Sequence, residues 1–298
     1  MIKRLRGLLC KLLSPDAPAK IARRLRMVLI ARSIIRPNPL FAKFSRQSRI
    51  RRLSYGTGHT AIVFGAGGHI GEAIAGRLLK QGCQVIGTYR TRLPQLSDCE
   101  RLQIFPLDIT SVDQVDDLYL RLERLGTRVH LIVVATGVNS GQDYHATIAT
   151  EGITRETLER EGDEILKSFQ SNTLGPYFLM RRYAGLLCQF PNQRYVPQIC
   201  LLSSSLGTMN NELYGGMYGY RTSKGALHAL AMAMYCDLNL STRVGVQILG
   251  PGNVATPMNP SGVMTPDQAA TEIVSNLEYS ARKSTFQFLG VRGRRILW

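Results

Sequence analysis

Residues 61–82 read AIVFGAGGHIGEAIAGRLLKQG. The apolar run from Ala61 to Phe64 predicts a short buried strand, and residues 72–82 have the spacing of an amphipathic helix that ends at Gly82. The turn between strand and helix contains the glycines Gly65, Gly67, Gly68 and Gly71. Glycines permit a tight turn and let the backbone approach a pyrophosphate, which binds the N–H groups at a helix N-terminus. This order of elements therefore predicts a dinucleotide site.

The next predicted strand, residues 84–89, is followed by basic residues. Many NAD sites place an acidic residue here to hold the ribose 2′-hydroxyl, but residues 84–97 contain none. Arg90 and Arg92 are present instead, and a guanidinium suits a 2′-phosphate because it can form bidentate hydrogen bonds. The pattern favours NADP(H) over NAD(H), although two arginines of a solvated loop would read the same way.

Further apolar strands alternate with amphipathic helices along the rest of the chain. This alternation predicts a Rossmann-like, doubly wound parallel sheet in three α/β/α layers, with the ligand at the carboxyl ends of the strands. Polar or glycine-rich residues follow each strand. The predicted strands are 102–107, 130–134, 198–202 and 244–249, and they lead into Asp108, Gly137, Ser203–Ser205 and Pro251–Thr256.

A Tyr-x-x-x-Lys pair, Tyr220 and Lys224, is the strongest chemical signal in the chain. Residues four apart on a helix share a face. A free tyrosine has a pKa near ~10, and a nearby ammonium lowers it, so that the phenol can exchange a proton with a carbonyl oxygen. The same spacing also occurs by chance on many helices.

Two further features accompany this pair. Residues 164–187 predict a long helix that Asn172 interrupts just before Gly175-Pro176, which indicates either a kink with free carbonyls or an ordinary exposed asparagine. The serines 203–205 follow a strand at the edge where such a sheet places its chemistry, or they cap a turn.

Charge is concentrated at the amino end. The chain has 298 residues and a net charge of +16, and residues 1–58 hold 15 Lys and Arg against the single acid Asp16. This Arg-rich leader predicts a mitochondrial transit peptide, a basic helix at a membrane surface, a disordered tail of a cytoplasmic protein, or a start codon placed too early. The body, residues 59–298, is nearly neutral, so we expect no nucleic-acid partner. Its apolar runs are too short to span a bilayer, and its scattered cysteines indicate neither zinc nor disulfides.

With these parts in order, residues 59–298 resemble the short-chain dehydrogenase/reductase family. The form Tyr-Arg-Thr-Ser-Lys at 220–224, the insertion at 210–216 and the terminal Leu-Trp resemble the C-factor-like subgroup in particular. The chain departs from the common glycine pattern at Phe64 and His69, where His69 is a bystander or a phosphate contact. It also has Val-Ala-Thr-Gly at 134–137 in place of Asn-Asn-Ala-Gly.

The resemblance implies roles for matching residues. Tyr220 would be the acid/base, Lys224 would lower its pKa and hold the nicotinamide ribose, and Ser204, three residues before Gly207, would bind the substrate oxygen. Asn172 would anchor a water between Lys224 and solvent. Besides Tyr220 and Lys224, the implied cofactor-binding residues are Gly65, Gly68, Ile70, Gly71, Arg90, Asp108, Ile109, Gly137, Pro251, Gly252, Val254 and Thr256.

These residues predict an NADP(H)-dependent oxidoreductase that interconverts a small carbonyl compound and an alcohol, without a metal. A non-catalytic dinucleotide-binding sensor of the same fold is the alternative. From the family we also expect a homodimer or homotetramer.

Overall fold

The structure, a computed structural model, describes residues 53–96, 100–139, 153–188, 195–209, 216–240, 242–282 and 284–297. Within these ranges, seven strands alternate with helices. The strands are β1 Thr60–Phe64, β2 Gln84–Tyr89, β3 Leu102–Pro106, β4 Leu131–Val134, β5 Gln198–Leu202, β6 Gly245–Leu249 and β7 Phe286–Leu289. The α-helices are α1 His69–Lys80, α2 Val112–Arg124, α3 Arg155–Phe169, α4 Gly175–Tyr183, α5 Tyr218–Leu238 and α6 Pro266–Ser280.

The strands form one parallel sheet in the order β3-β2-β1-β4-β5-β6-β7. Ile62 in β1 lies opposite Ile86 on one side and Ile132 on the other. The strand order therefore reverses between β1 and β4, which is where a sheet of this kind opens a crevice at its carboxyl edge. The predicted doubly wound fold is confirmed.

Alternate side chains of each strand enter two separate cores, one on each face of the sheet. Ile62 and Phe64 pack with residues of α2, α4 and α5. Ala61 and Val63 point the other way and pack with α1 and α6. Because both faces are covered by helices, the strands are almost wholly apolar, and hydrophobic burial holds the three layers together.

The packed region extends to the amino-terminal side of the predicted domain boundary. Leu53 and Tyr55 are buried in the core beside α1 and α6, at 5% and 1% exposure, so residues within the predicted 1–58 leader belong to the folded body. Residues 1–52 lie outside the described ranges, and their import or membrane role stays a prediction, as does the homo-oligomer. In the described part of the chain, no helix combines the length and hydropathy needed to cross a bilayer.

Two elements differ from the sequence-based expectation. The helix predicted over 164–187 begins earlier, at Arg155, because the Thr154 side chain caps it by accepting from the Thr157 N–H at 3.3 Å. A π-helical turn, Gln170–Leu174, then separates α3 from α4, so the predicted interruption at Asn172 is present. Strand β7, four residues long, was not predicted.

Candidate active site

A cleft of about 260 Å³ opens at the carboxyl edge of the sheet, between the glycine turn after β1 and the ends of β2 and β4. Six of the residues predicted to bind a cofactor line it. They are Gly65, Gly68, Arg90, Asp108, Ile109 and Gly137. The cleft therefore lies at the strand reversal, where the parallel-sheet rule places a ligand.

The glycine turn holds α1 close to β1 and leaves its amino end open. A Cβ on Gly71 would lie 2.1 Å from the Gly65 carbonyl oxygen, so only glycine permits this approach. Gly68, the residue before α1, provides no side-chain cap, and the first N–H groups of a helix need a partner. Gly71 thus acts through packing rather than by lining the cleft, and Ile70 packs against the core.

Arg90 and Asp108 face each other across the cleft. The Asp108 carboxylate accepts hydrogen bonds from the Thr110 N–H and hydroxyl at 2.9 and 2.8 Å. Partial burial acts to raise the pKa of Asp108, but these hydrogen bonds and the positive charge of Arg90 hold it below its usual value. Asp108 is therefore a fixed anion, and Arg90 is an exposed cation beside it.

Arg92, the second arginine of the loop, has structural partners. Its Nε donates to the Gly67 carbonyl oxygen at 2.8 Å, and its guanidinium pairs with Glu72 on α1. These contacts tie the loop after β2 to the glycine turn. Of the two arginines, Arg90 is the one that lines the cleft without such a tie to the turn.

Lys224 is buried on α5, at 4% exposure. Its ammonium donates to the Leu202 carbonyl oxygen at 3.1 Å, and Nζ lies 5.8 Å from the ring centroid of Tyr220, one helical turn earlier. Burial lowers the pKa of Lys224 to about 8. The predicted phenol–ammonium pair therefore shares one helix face, and β5 holds the ammonium in place.

Asn172 connects three elements around this lysine. Its side chain accepts from the Val138 N–H at 2.8 Å, donates to the Val138 carbonyl at 2.9 Å, and donates to the Ser223 hydroxyl at 3.0 Å. A Cβ on Gly137 would lie 3.2 Å from Lys224 Nζ and 3.3 Å from Asn172 Oδ1. The end of β4, the π-helical turn and α5 thus meet at the lysine.

Ser204 lies between two residues that contact Lys224. The Leu202 carbonyl oxygen accepts from the Lys224 ammonium, and a Cβ on Gly207 would lie 2.8 Å from the backbone and the Cβ of Lys224. The Ser204 hydroxyl accepts from the Leu206 N–H at 3.2 Å and so caps a short 3-10 turn. Ser204 is half-buried at the carboxyl end of β5, beside the start of α5.

The predicted Pro251–Thr256 element follows β6 at the same edge but does not line the cleft. Gly252 has a φ of 87°, and the segment folds back so that the Ala255 N–H donates to the Met264 carbonyl at 2.8 Å. The element follows β6, whereas Arg90 follows β2, and three strands, β1, β4 and β5, lie between them in the sheet. This applies to the four predicted cofactor-binding residues of the element, Pro251, Gly252, Val254 and Thr256.

Sequence reasoning missed other residues of the cleft. The buried Thr88 hydroxyl accepts from the Gly65 N–H at 3.1 Å and fixes the turn, and Ser171 lines the cleft from the π-helical turn. The hydroxyl of Thr88, which follows the buried residues 85–87 of β2, was the available signal for this residue, whereas none marks Ser171. In the described ranges, no cluster of His, Cys, Asp or Glu could hold a metal ion.

Comparison with known proteins gives a consistent result. Residues 59–265 match the family model described as short chain dehydrogenase. A 1-hydroxy-2-glutathionyl-2-methyl-3-butene dehydrogenase of Rhodococcus sp. strain AD45 is 25% identical over 245 residues, which cover 80% of this chain and 99% of that protein. A hydroxynaphthalene reductase-like protein Arp2 of Metarhizium robertsii is 28% identical, over 68% of this chain and 70% of that protein.

Solved structures agree with the fold. A putative short-chain dehydrogenase/reductase of Burkholderia multivorans with bound NADP has a TM-score of 0.66 and 28% identity, over 80% of this chain and 99% of that chain. The carbonyl reductase Sniffer of D. melanogaster has a TM-score of 0.67 and 24% identity, over 81% of this chain and 100% of that chain. At that identity it supports the fold alone.

We expect Lys224→Met to raise the free energy of unfolding of the cofactor-free protein by about 3 kcal/mol at pH 7. The folded pKa of Lys224 lies below its unfolded value, so the charged lysine destabilises the fold fully below pH 8. That cost declines as the pH rises from 8 and is gone above about 10.5, the unfolded pKa. Urea denaturation of the unmodified protein and of Lys224→Met at pH 7 and pH 10.5 measures the difference in unfolding free energy. A variant that is less stable than the unmodified protein at both pH values would contradict a buried, destabilising charge at Lys224.

Proposed function

The chain belongs to the short chain dehydrogenase family, and from this premise we propose that it is an NADP(H)-dependent oxidoreductase that interconverts a carbonyl and an alcohol. The observation that carries the proposal is the pairing of Tyr220 with the buried Lys224, whose ammonium would lie 3.2 Å from a Cβ on Gly137, a residue that lines the cleft. The Burkholderia relative with bound NADP supports the choice of cofactor. The C-factor-like subgroup stays a prediction.

The residues of the cleft fit a dinucleotide. The open amino end of α1 offers N–H groups to a pyrophosphate. Gly65 and Gly137 place no side chain in the cleft. A Cβ on Gly65 would lie 2.9 Å from the Thr136 side chain, and a Cβ on Gly137 would approach Lys224. A nicotinamide cofactor held there would supply the hydride, or accept it, at the carbon of the substrate carbonyl or alcohol.

Residues of this chain handle the proton and the orientation. In reduction, the Tyr220 hydroxyl donates its proton to the carbonyl oxygen as that oxygen gains negative charge, and in oxidation the phenolate takes the proton back. The Lys224 ammonium stabilises the phenolate and hydrogen-bonds the ribose. The Ser204 hydroxyl donates to the substrate oxygen, and Asn172 fixes the π-helical turn against α5 and anchors a water next to Lys224.

Replacing Tyr220 by Phe tests the proposal. We expect NADPH-dependent reduction of an aldehyde to fall by about 10²–10⁴-fold, since the general acid is removed, while NADPH still binds. Tyr218→Phe, which changes an exposed tyrosine of the same helix, is the matched control and should retain activity. Full activity in Tyr220→Phe would refute the proposal, and NADPH binding without turnover in the unmodified protein would favour a dinucleotide sensor.

Arg90 is proposed to bind the 2′-phosphate of NADP(H). Loss of one charge-assisted contact costs about 1.5–3 kcal/mol, so Arg90→Ala should weaken NADPH binding by roughly 10- to 100-fold and leave NADH binding unchanged. Isothermal titration with both cofactors measures this, and Arg155→Ala, at an exposed arginine on α3, controls for net charge. Equal losses for NADPH and NADH would contradict the role.

The substrate is proposed to be an uncharged, apolar carbonyl compound. The described parts of the loops after β5 and β6, residues 206–209 and 256–264, contain no ionisable side chain. Their large exposed residues are Met209, Met258 and Val263. Because parallel neighbouring strands end at one edge, the two loops flank the space beside Ser204, and such a space disfavours a carboxylate.

Two aldehydes that share one ring distinguish the substrate classes. We expect kcat/KM for benzaldehyde to exceed that for 4-carboxybenzaldehyde by at least about tenfold, because an unpaired carboxylate loses hydration in an apolar site. Met258→Arg should narrow the ratio of the two kcat/KM values. Leu125→Arg is the control, because it changes an exposed residue at the carboxyl end of α2, and it should leave the ratio unchanged. Preference of the unmodified enzyme for the carboxylated aldehyde would exclude the apolar assignment.

A further inference from the structure

A buried hydrogen bond joins Ser203, the residue before Ser204, to His228 on α5. The Ser203 hydroxyl and His228 Nε2 are 2.7 Å apart, and both side chains are almost fully buried, at 3% and 4% exposure. The imidazole also packs against Phe288 of β7, with ring centroids 4.6 Å apart. The ring therefore packs against β7, and its Nε2 bonds Ser203, the residue that follows β5.

The position of His228 relates this bond to the active site. Tyr220, Lys224 and His228 are spaced four residues apart on α5, so they share one helix face. Lys224 donates to the carbonyl of Leu202, and His228 bonds the side chain of the next residue, Ser203. Two successive turns of α5 are therefore tied to Leu202, the last residue of β5, and to Ser203, which follows it directly before Ser204.

The chemistry of the ring suits a fixed connection rather than proton transfer. Burial and the charge of the neighbouring Lys224 lower the pKa of His228 to about 4. The imidazole is therefore neutral over the working pH range, and its bond to the Ser203 hydroxyl persists. A buried polar group of this kind needs its partner, since leaving either one unpaired carries the full cost of desolvation.

We propose that His228 is a positioning residue for the reaction: through Ser203 it sets the carboxyl end of β5, and hence the Ser204 hydroxyl, at a fixed distance from Tyr220. The inference rests on the proposed function. His228 lies one turn after Lys224 on α5 and is not among the residues that line the dinucleotide cleft. Because Ser203 adjoins Ser204, which is proposed to bind the substrate oxygen, the effect of His228 is expected on turnover and not on cofactor affinity.

His228→Leu tests this role because leucine retains an apolar side chain but cannot form the hydrogen bond. We expect kcat for aldehyde reduction to fall by about tenfold, the size of one lost hydrogen bond, with an unchanged Kd for NADPH. His228→Gln, whose amide reaches a similar position, should restore much of kcat. Ser203→Ala should match His228→Leu, and the double variant should lose no more than either single variant.

His130→Leu is the structural control. His130 is likewise buried and accepts from a backbone N–H, that of Thr60 at 3.2 Å, but it lies at the amino edge of the sheet. Its replacement should lower the unfolding midpoint and leave kcat unchanged. If His228→Leu folds poorly, Ser203→Ala alone decides the question.

The positioning role is overturned if neither His228→Leu nor Ser203→Ala lowers kcat, if NADPH affinity falls together with kcat, or if the effects of the two variants simply add. An unmodified protein that turns over no carbonyl would instead refute the proposed function and the positioning role with it.

Discussion

The hydrogen bond between the Lys224 ammonium and the Leu202 carbonyl oxygen is the contact on which the rest of the site depends. A buried cation is costly unless it is hydrogen-bonded or paired. Among the described ion pairs, none gives Lys224 a carboxylate partner. Its charge is therefore stabilised by a strand carbonyl, and it remains available to the phenol of Tyr220 one turn away. The stability that is lost at this buried charge matches the proposed role of Lys224 in the reaction.

The parallel sheet explains how residues far apart in the chain meet at that lysine. The ends of β4 and β5 lie side by side at the carboxyl edge, and each places a glycine against Lys224: Gly137 after β4 and Gly207 after β5. The π-helical turn adds Asn172, whose amide bonds both Val138 and Ser223. Close contacts from three elements fix the lysine, and the cleft opens near it because the strand order reverses between β1 and β4.

The sequence predicted the parts of this site that have a local signature. The glycine turn at 65–71 and the spacing of Tyr220 and Lys224 depend on neighbouring residues, and both appear in the structure as predicted. Contacts between distant segments could not be predicted in the same way. The bond of Ser203 to His228 joins residues 25 positions apart, and the close approach of Gly137 to Lys224 depends on the folded sheet. Helix α3 was predicted to start too late because its first turns carry few apolar residues, so its hydrophobic spacing is weak.

The most direct measurement follows a labelled hydride. NADPH that carries deuterium at one face of nicotinamide C4, and in a separate sample NADPH that carries it at the other face, is incubated with the protein and an uncharged aldehyde, and the alcohol is examined by mass spectrometry and NMR. We expect one deuterium on the carbinol carbon from one of the two labelled cofactors and none from the other. An alcohol without deuterium from both cofactors, or no alcohol at all from protein that binds NADPH, would contradict a site in which Tyr220 and Lys224 serve direct hydride transfer.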